Sequence, residues 1–302
     1  MITKIAMKAL AVVLLFITSL TFNAFAQDKA LTPASVIEDS STADWRTPTQ
    51  ANLLYLELRQ GMVVFELASD FAPGHIANLT TLVSDKYFDG LAIIRSQDNY
   101  VVQWGDPTEQ AEQAKSLGDA KTELAPEFTR PLIGINFNAI DSRDAYADHI
   151  GFSNGFSVAH DNENAWLTHC YGALGAGRGL KADSGNAAQL YVVTGHAPRH
   201  LDKNVSLLGR AIHGMEHLSS LARGTGPLGF YETKAERVEI KSVRFGTDLE
   251  PSERISFQIM RTDTDTFAEY VTSRTFRKNE WFVDETGHIE VCNVGIPVRV
   301  NK

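Results

Sequence analysis

Arg95, Tyr100 and Gln103 are the residues whose types and spacing most suggest chemistry. They lie in the stretch 93–106, where two apolar runs flank a polar turn, and this pattern predicts two strands joined by a short connection. Both Arg95 and Gln103 can then face one concave surface beside the Tyr100 ring. A cation and an amide among apolar side chains suit a site that binds peptide carbonyl groups. On spacing alone, the alternative is that Arg95 covers apolar surface with its stem or pairs with a surface acid.

Many short strand-like runs and two well-separated helices must position this stretch. The runs 54–58 and 62–67 are joined by Arg59-Gln60-Gly61, which predicts a hairpin. A helix begins at Ala72-Pro73, because proline is tolerated in a first turn, where its missing N–H costs nothing. This composition indicates a mainly β, closed or nearly closed antiparallel barrel. Further strands are predicted at 91–94, 100–103, 156–159, 189–193 and 238–245, and a second helix at 215–221.

Other parts of the chain give separate signals. Residues 27–48 are polar and lack periodicity, so they predict a flexible lead-in. Residues 107–154 and the glycine-rich residues 161–186 are interpreted as long insertions. Residues 249–302 are too few to fold independently with ease, so we expect this extension to pack on the barrel. Within it, the pattern predicts a strand at 255–260, a helix at 266–275 and a last strand at 289–294.

The stretch around Arg95 resembles the signature of the cyclophilins, in which an arginine precedes an aromatic residue and then Gln-Gly-Gly-Asp. Here the ending is Gln103-Trp104-Gly105-Asp106, with tryptophan in place of the first glycine. The hairpin and the Ala-Pro helix are similar to the family as well. Further similar segments follow in the family's order: Phe156-Ser157-Val158-Ala159, Ala188-Gln189-Leu190-Tyr191-Val192, His200-Leu201-Asp202 and Leu207-Leu208-Gly209-Arg210. The resemblance implies a cyclophilin-like closed antiparallel β-barrel with two capping helices over 49–248, followed by a C-terminal strand–helix–strand extension.

The resemblance also implies an activity, peptidyl-prolyl cis/trans isomerisation of proline-containing polypeptides, and a set of site residues. Arg95 matches the catalytic arginine, and Gln103 acts beside it. The walls of the proline pocket are expected from Tyr100, Val101, Tyr191 and Leu201. The remaining contacts with the substrate are expected from Gln103 and Gln189, which hold its backbone, from Ala159 beside the bound peptide, and from His200, where the family often has tryptophan. The family's reaction needs no cofactor or metal.

Several departures from the family pattern affect rate and specificity more than fold. Tyrosine at 100 and 191 replaces phenylalanine and brings a hydroxyl to an apolar pocket. Val205 stands where many members have a histidine. The long segment 161–186 replaces a short loop that lies beside the substrate-binding groove in the family. A catalytically weak binding or chaperone module with the same fold is therefore the main alternative, although a pure binder has no evident use for Arg95 and Gln103 together.

The first residues predict export. Lys4 and Lys8 precede an uncharged apolar run at 9–22, and Ala24-Phe25-Ala26 is a small-x-small cleavage pattern, so we expect a signal peptide at 1–26. A retained membrane anchor is the alternative, but the run is shorter than the roughly 20 residues that span a bilayer. The expected location is the periplasm or the outside of the cell, with no membrane association after cleavage.

The net charge limits the kinds of partner that suit the protein, and the cysteine content bears on its redox environment. Loss of Lys4 and Lys8 moves the formal charge from −9 to −11, which makes nucleic acid a poor partner. We expect a monomer. The cysteines, Cys170 and Cys292, either form one disulfide in an oxidising compartment or are two separate buried thiols, and the sequence leaves both open.

Three other motifs suggest rival chemistry. Residues 151–155 fit the Gly-x-Ser-x-Gly elbow of serine hydrolases, but a polar stretch precedes them and a strand follows. The glycines between 172 and 179 do not begin a helix after a strand, as a phosphate-binding loop requires, and are interpreted as a mobile loop. His213 and His217 are four residues apart without a third ligand at metal-binding spacing.

Overall fold

The computed structural model describes residues 31–108, 111–277 and 281–301. The expected signal peptide at 1–26 lies outside the described residues, as do residues 27–30 of the expected lead-in. Within the described ranges, no helix has both the length and the apolar character that crossing a bilayer requires.

The described residues form four α-helices and sixteen strands. The helices are α1 Pro33–Asp39, α2 Pro73–Ser84, α3 Met215–Ser219 and α4 Asp265–Thr275. The strands are β1 Trp45–Arg46, β2 Leu53–Leu58, β3 Met62–Leu67, β4 Ala92–Ser96, β5 Val101–Gly105, β6 Arg130–Pro131, β7 Asn138–Ala139, β8 His149–Ser153, β9 Phe156–His160, β10 Asn164–Leu167, β11 Ala173–Ala176, β12 Leu190–Val193, β13 Leu207–His213, β14 Val238–Phe245, β15 Phe257–Met260 and β16 Val298–Val300.

Eight antiparallel strands close into a barrel in the order β11-β12-β5-β4-β14-β2-β3-β13, and β13 pairs back with β11. Successive side chains of a strand point to opposite faces, so alternate residues fill the interior. The largest hydrophobic core includes Leu54, Phe65, Val102, Trp104 and Val192 from four of these strands. The predicted mainly β, closed antiparallel barrel is confirmed.

Two helices lie against the barrel, as predicted. Helix α2 begins with Pro73, and the carboxylate of Glu127 in the central insertion (residues 107–154) accepts hydrogen bonds from the N–H groups of Gly74 (2.8 Å) and His75 (2.9 Å). These bonds satisfy donors that a first helical turn leaves free. Helix α3 is shorter than predicted, with five residues and a buried Leu218.

A second core draws on three distant parts of the chain. The central residues supply a five-stranded sheet, β6-β10-β9-β8-β7, and the N-terminal strand β1 pairs with β15, which also pairs with β16. Helices α1 and α4 pack together. The large buried side chains of this core include Trp45, Phe152, Trp166, Phe267 and Tyr270.

The C-terminal extension also contacts the outer surface of the barrel. Phe257 is buried against Leu53, Tyr55 and Val64 of β2 and β3. The hydroxyl of Tyr55 accepts a hydrogen bond from the N–H of Ile255 at 3.2 Å. The extension therefore shares apolar surface with the barrel as well as with the central insertion.

The expected flexible lead-in at 27–48 is wrong for its described part. Residues 33–39 form α1, whose first turn is closed by reciprocal hydrogen bonds between Thr32 and Ser35. Val36 is buried in the second core, and the next residues continue into β1. The helix was not predicted because seven residues are too few to show a helical period, and it is stabilised by its contact with the distant helix α4.

Two other predicted segments differ from the structure. Residues 161–186 are not simply an insertion beside the groove or a mobile loop, because they contain β10 and the barrel strand β11. The predicted last strand at 289–294 is a 3₁₀ turn over 291–293, where Val291 and Val294 are buried in the second core. The last strand is instead β16, which pairs with β15.

Cys170 and Cys292 form a disulfide. It joins the segment before β11 to the C-terminal extension, with a sequence separation of 122 between the two cysteines. Cys170 belongs to the second core, and Cys292 packs against it. The bridge therefore links the barrel's own chain segment to the extension.

We expect loss of this disulfide in Cys292→Ser to lower the free energy of unfolding by about 2–5 kcal/mol, because the bridge restricts a long loop in the unfolded chain. Urea denaturation of the variant and the oxidised wild type measures the difference. The chemically reduced wild type is the matched control, and it should unfold at a midpoint close to that of Cys292→Ser. Equal midpoints for the oxidised wild type and the variant would contradict the prediction.

Candidate active site

Six of the predicted site residues line one cavity on the outer surface of the barrel. Its volume is about 210 Å³. Glycine, arginine and valine residues that the sequence analysis did not assign to the site complete the wall. The lining residues are Arg95, Tyr100, Val101, Gln103, Gly177, Arg178, Tyr191, Leu201 and Val205.

Strand register places these side chains together. Arg95 of β4 lies opposite Gln103 of β5, which lies opposite Tyr191 of β12. The register of β4 and β5 shifts between Ile93 and Arg95, and such a bulge re-aims a side chain. Because Val102 points into the barrel, its neighbours on β5 point outward, toward the cavity.

The guanidinium of Arg95 is held by neutral oxygen atoms. Its Nε donates to the carbonyl oxygen of Leu228 at 2.8 Å, and Nη1 donates to Gln103 Oε1 at 3.2 Å. Its Nη2 donates to Gln97 Oε1. The charge also lies between two aromatic rings, 5.5 Å from the centroid of Tyr100 and 5.1 Å from that of Phe230. Burial lowers the pKa of Arg95 from its ordinary value, but an arginine this basic keeps its charge.

The two glutamines form a chain of amide hydrogen bonds. Gln189 donates to the carbonyl oxygen of Asp106 at 2.8 Å, and its own Oε1 accepts from Gln103 Nε2 at 3.0 Å. Gln103 therefore presents its oxygen to Arg95. We expected both amides to hold the substrate, whereas in the structure Gln189 orients Gln103 and is absent from the cavity wall.

Tyr191 forms a wall of the cavity, but its hydroxyl points into the protein. The hydroxyl lies 2.9 Å from Nε2 of His169, and His169 Nδ1 lies 2.8 Å from Oδ1 of Asp202. Burial raises the pKa of the Tyr191 phenol above its ordinary value, so the hydroxyl keeps its proton. Arg199 completes the network with a 2.6 Å hydrogen bond from its Nε to Asp202.

The electrostatics of this network favour a charged Asp202 and a neutral His169. Burial acts to raise the pKa of Asp202, but the hydrogen bond from His169 and the charge of Arg199 outweigh it, so the net shift is downward. Burial lowers the pKa of His169 below its ordinary value, against the opposing effect of Asp202. The imidazole is therefore neutral near pH 7, with its proton on Nδ1, where it donates to Asp202.

His200 and Leu201 lie at the rim of the site. Leu201 lines the cavity and is partly buried. His200 is exposed, and its ring lies parallel to that of Tyr100 with the centroids 6.2 Å apart. His200 thus borders the site through Tyr100 and is not itself part of the cavity wall.

Ala159 does not belong to this site. It lies on β9, paired with Ile150 and Trp166, and is fully buried in the second core. The strand beside β12 in the barrel is β11, and the residue that follows it, Gly177, lines the cavity. From the sequence, the short apolar segments 156–159 and 173–176 are both candidates for the barrel strand beside β12. Only their pairing with distant strands shows that 173–176 is that strand.

The segment 224–230 was not among the predicted site residues, and it contacts Arg95 from the side opposite Gln103. Leu228 has a positive φ of 56° and is followed by Gly229 at 77°. This turn aims the carbonyl oxygen of Leu228 at Arg95, and Phe230 forms an isolated β-bridge with Arg95. A leucine and a phenylalanine in a Gly-Pro-rich stretch were the available signal in the sequence.

The rival motifs are not arranged for their chemistry. Ser153 is buried at the end of β8, and the next strand follows through a two-residue turn, so the elbow of a serine hydrolase is not formed. Residues 173–176 form a barrel strand where a phosphate loop needs a helix. His213 packs on Phe257, whereas His217 lies 4.0 Å from Glu216.

The neutral state of His169 predicts a pH dependence of stability. Between its ordinary pKa of 6.5 and its lower folded value, the unfolded chain binds a proton that the folded protein does not. The free energy of unfolding should therefore fall as the pH drops from 7 to 5, by up to about 1.4 kcal/mol per pH unit from this group. Urea denaturation across this range, with His169→Gln as the non-titrating control, measures it. Parallel curves for the two proteins would contradict the prediction.

Comparison with known proteins places the fold. The sequence model of the family described as cyclophilin type peptidyl-prolyl cis-trans isomerase/CLD matches residues 53–245. The chain is similar to the crystal structure of cyclophilin AquaCyp293 from Hirschia baltica, with a TM-score of 0.65 and 24% identity, covering 90% of this chain and 98% of that one. At this identity the structural likeness bears on the fold alone.

Two further similarities are more limited. A curated protein named peptidyl-prolyl cis-trans isomerase-like 1, from Gibberella zeae, is 36% identical over 70 residues, which are 23% of this chain and 43% of that protein. The match thus spans less than half of the relative's length. A cyclophilin-type isomerase of Cryptosporidium parvum, crystallised in the presence of the dipeptide Ala-Pro, has a TM-score of 0.43 and 14% identity, covering 64% of this chain and 98% of that one.

Proposed function

Because this chain belongs to the cyclophilin-type peptidyl-prolyl cis/trans isomerases, we propose that it catalyses rotation about X-Pro bonds in exported proteins and so assists their folding. The observation that carries the proposal is Arg95, whose guanidinium borders a cavity that also has Tyr100, Val101 and Leu201 in its wall. The cavity holds the proline ring, and the arginine lies where the rotating bond passes.

The reaction is limited by amide resonance. The barrier to rotation about a peptide C–N bond is about 18–20 kcal/mol because of its partial double-bond character. X-Pro bonds populate both isomers and interconvert over tens to hundreds of seconds. In the twisted transition state the resonance is lost and the proline nitrogen regains a lone pair, so a hydrogen-bond donor at that nitrogen stabilises the transition state more than the ground state.

Arg95 is suited to supply that donor. The guanidinium carries several N–H donors in a rigid fork, and Leu228, Gln103 and Gln97 engage only part of them. Its orientation is fixed before the substrate binds, so little reorganisation is needed in the transition state. The same donors can also steady the rotating carbonyl oxygen.

The remaining site residues position Arg95 and the substrate. Gln103 accepts from Arg95 and is itself held by Gln189, so the three side chains form one oriented set. Tyr191 and Leu201 contact the proline ring in the bound peptide. This mechanism stabilises a transition state by electrostatics and position, through groups of the chain itself.

The expected substrates are proline-containing polypeptides in the periplasm or outside the cell. The basis for this location is the basic, apolar and small-residue pattern of residues 1–26. The proposed enzyme acts as a monomer, and its acidic charge disfavours nucleic acid as a partner.

The role of Arg95 predicts that Arg95→Ala lowers kcat/KM for a short Ala-Pro peptide by about 10²-fold, as expected when a preorganised donor is lost. A protease-coupled isomerisation assay on residues 27–302 measures this. Arg95→Lys keeps the charge but loses the planar fork, and it should recover only part of the activity.

Arg130→Ala is a matched control for that experiment. Arg130 also lies over an aromatic ring, 5.7 Å from the centroid of Phe71, and donates to the carbonyl oxygen of Asp70, but it does not line the cavity. It should keep wild-type kcat/KM. No catalysis by the folded wild type would refute the proposed function and favour a binding module instead.

Export is tested separately. When the full chain is expressed in a Gram-negative host, we expect the mature protein in the periplasmic fraction with Gln27 as its first residue, which mass spectrometry of the intact protein detects. Retention of residues 1–26 in the membrane fraction would contradict this expectation and favour an anchor.

A further inference from the structure

Tyr191 brings a hydroxyl to the wall of a cavity that is otherwise suited to a proline ring. A buried hydroxyl without a partner costs free energy, and here the partner is His169 Nε2 at 2.9 Å. His169 itself is fully buried. The chain therefore accommodates a tyrosine in the cavity wall by placing an acceptor behind it.

Only one tautomer of His169 can accept this bond. Oδ1 of Asp202 accepts from the backbone N–H of His169 at 3.0 Å and lies 2.8 Å from its Nδ1, so an ionised Asp202 holds the ring proton on Nδ1. Nε2 then has a free lone pair directed at Tyr191. Arg199 and Trp166 Nε1 donate to the other oxygen of Asp202, which keeps the carboxylate in place.

The hydroxyl end of the Tyr191 ring also packs against the backbone of β11. Gly175 lies directly across from Tyr191 in the strand register, and a Cβ built at Gly175 would overlap the end of the Tyr191 ring. The phenol therefore fits a slot that is bounded by a glycine and closed by a histidine. Neither boundary touches the substrate cavity, since Gly175 and His169 are absent from its wall.

We propose that His169 is a positioning residue for catalysis, which fixes the Tyr191 ring as the wall of the proline cavity through a hydroxyl–imidazole hydrogen bond that Asp202 orients. The inference rests on the proposed function and deepens it. It has a specific consequence: replacing His169 affects kcat/KM only while residue 191 carries a hydroxyl.

A double-mutant cycle tests this dependence of His169 on the Tyr191 hydroxyl. His169→Leu should lower kcat/KM for an Ala-Pro peptide by about tenfold or more in the wild-type background, because the Tyr191 hydroxyl loses its partner. In the Tyr191→Phe background, the same substitution should change kcat/KM by less than about twofold, since no hydroxyl then needs an acceptor. The loss should fall mainly on KM, because the cavity wall contacts the proline ring in both the ground and the transition state.

Two controls separate positioning from a general loss of stability. His160→Leu removes another buried histidine, on β9 outside the cavity, and should leave KM unchanged even if the protein becomes less stable. His169→Gln can accept from Tyr191 through its amide oxygen and should recover most of the activity. If His169→Leu does not fold, His169→Ala, which also lacks an acceptor, replaces it in the double-mutant cycle, and an equal loss in both backgrounds overturns the proposal.

Nitrogen-15 NMR of the histidine rings supplies a readout that does not depend on catalysis. The expected signal for His169 is a proton on Nδ1 and an unprotonated Nε2 at pH 7, and a proton on Nε2 overturns the proposal. Equal losses of kcat/KM in both backgrounds, or a folded His169→Leu with wild-type kcat/KM, do the same. If the wild type shows no isomerisation, the proposed function fails. The positioning role is then tested by the affinity for the Ala-Pro peptide of the four proteins of the double-mutant cycle: the wild type, His169→Leu, Tyr191→Phe and the double variant.

Discussion

Closure of the barrel commits every second side chain of β4, β5 and β12 to the interior, and the whole site depends on this constraint. Val102 and Trp104 fill the core, so Val101 and Gln103 must face outward. A slip of one residue would bury the amide and expose the tryptophan, which the apolar core opposes. The hydrophobic interior therefore fixes the register that aligns Arg95, Gln103 and Tyr191 across three strands.

The same constraint explains the departure from the family signature at Trp104. Its side chain points into the barrel and stacks on Phe65, with 5.9 Å between the ring centroids, so the interior has room for it. The next residue has no such freedom. Gly105 has a φ of 149°, and a Cβ there would lie 2.8 Å from the carbonyl oxygen of Ala188. Only the second of the two positions requires glycine in this chain.

Local sequence predicted the parts of the molecule that short-range patterns determine. The hairpin of β2 and β3, the start of α2 and the pair Arg95 and Gln103 all depend on residues within about ten positions of each other. The resemblance to a family then extended the prediction to Tyr191 and Leu201. Ala159 was misplaced because its strand and β11 are both short and apolar, and their positions depend on partners far away in the sequence.

The features that the sequence did not reveal are those formed by long-range contacts. His169 has no motif around it, and its role follows only from Tyr191 and Asp202, which are 22 and 33 positions away. The carbonyl oxygen of Leu228 reaches Arg95 across 133 positions. Helix α1 is stabilised by α4 from the other end of the chain. A pattern confined to a short window cannot report such contacts.

The composition of the second core has a consequence for the order in which the molecule is completed during synthesis. Strand β1 leaves the ribosome early, but Trp45 pairs with Met260, about 215 positions later in the chain. Until then, Trp45 lacks its partner strand and Phe152 lacks its aromatic neighbour Phe267 of α4, whereas the barrel strands already have their partners. Contacts between distant positions form slowly because the intervening loop must first close. A nascent chain therefore presents apolar surface from its first and central segments for most of its synthesis, and the last fifty residues cover it.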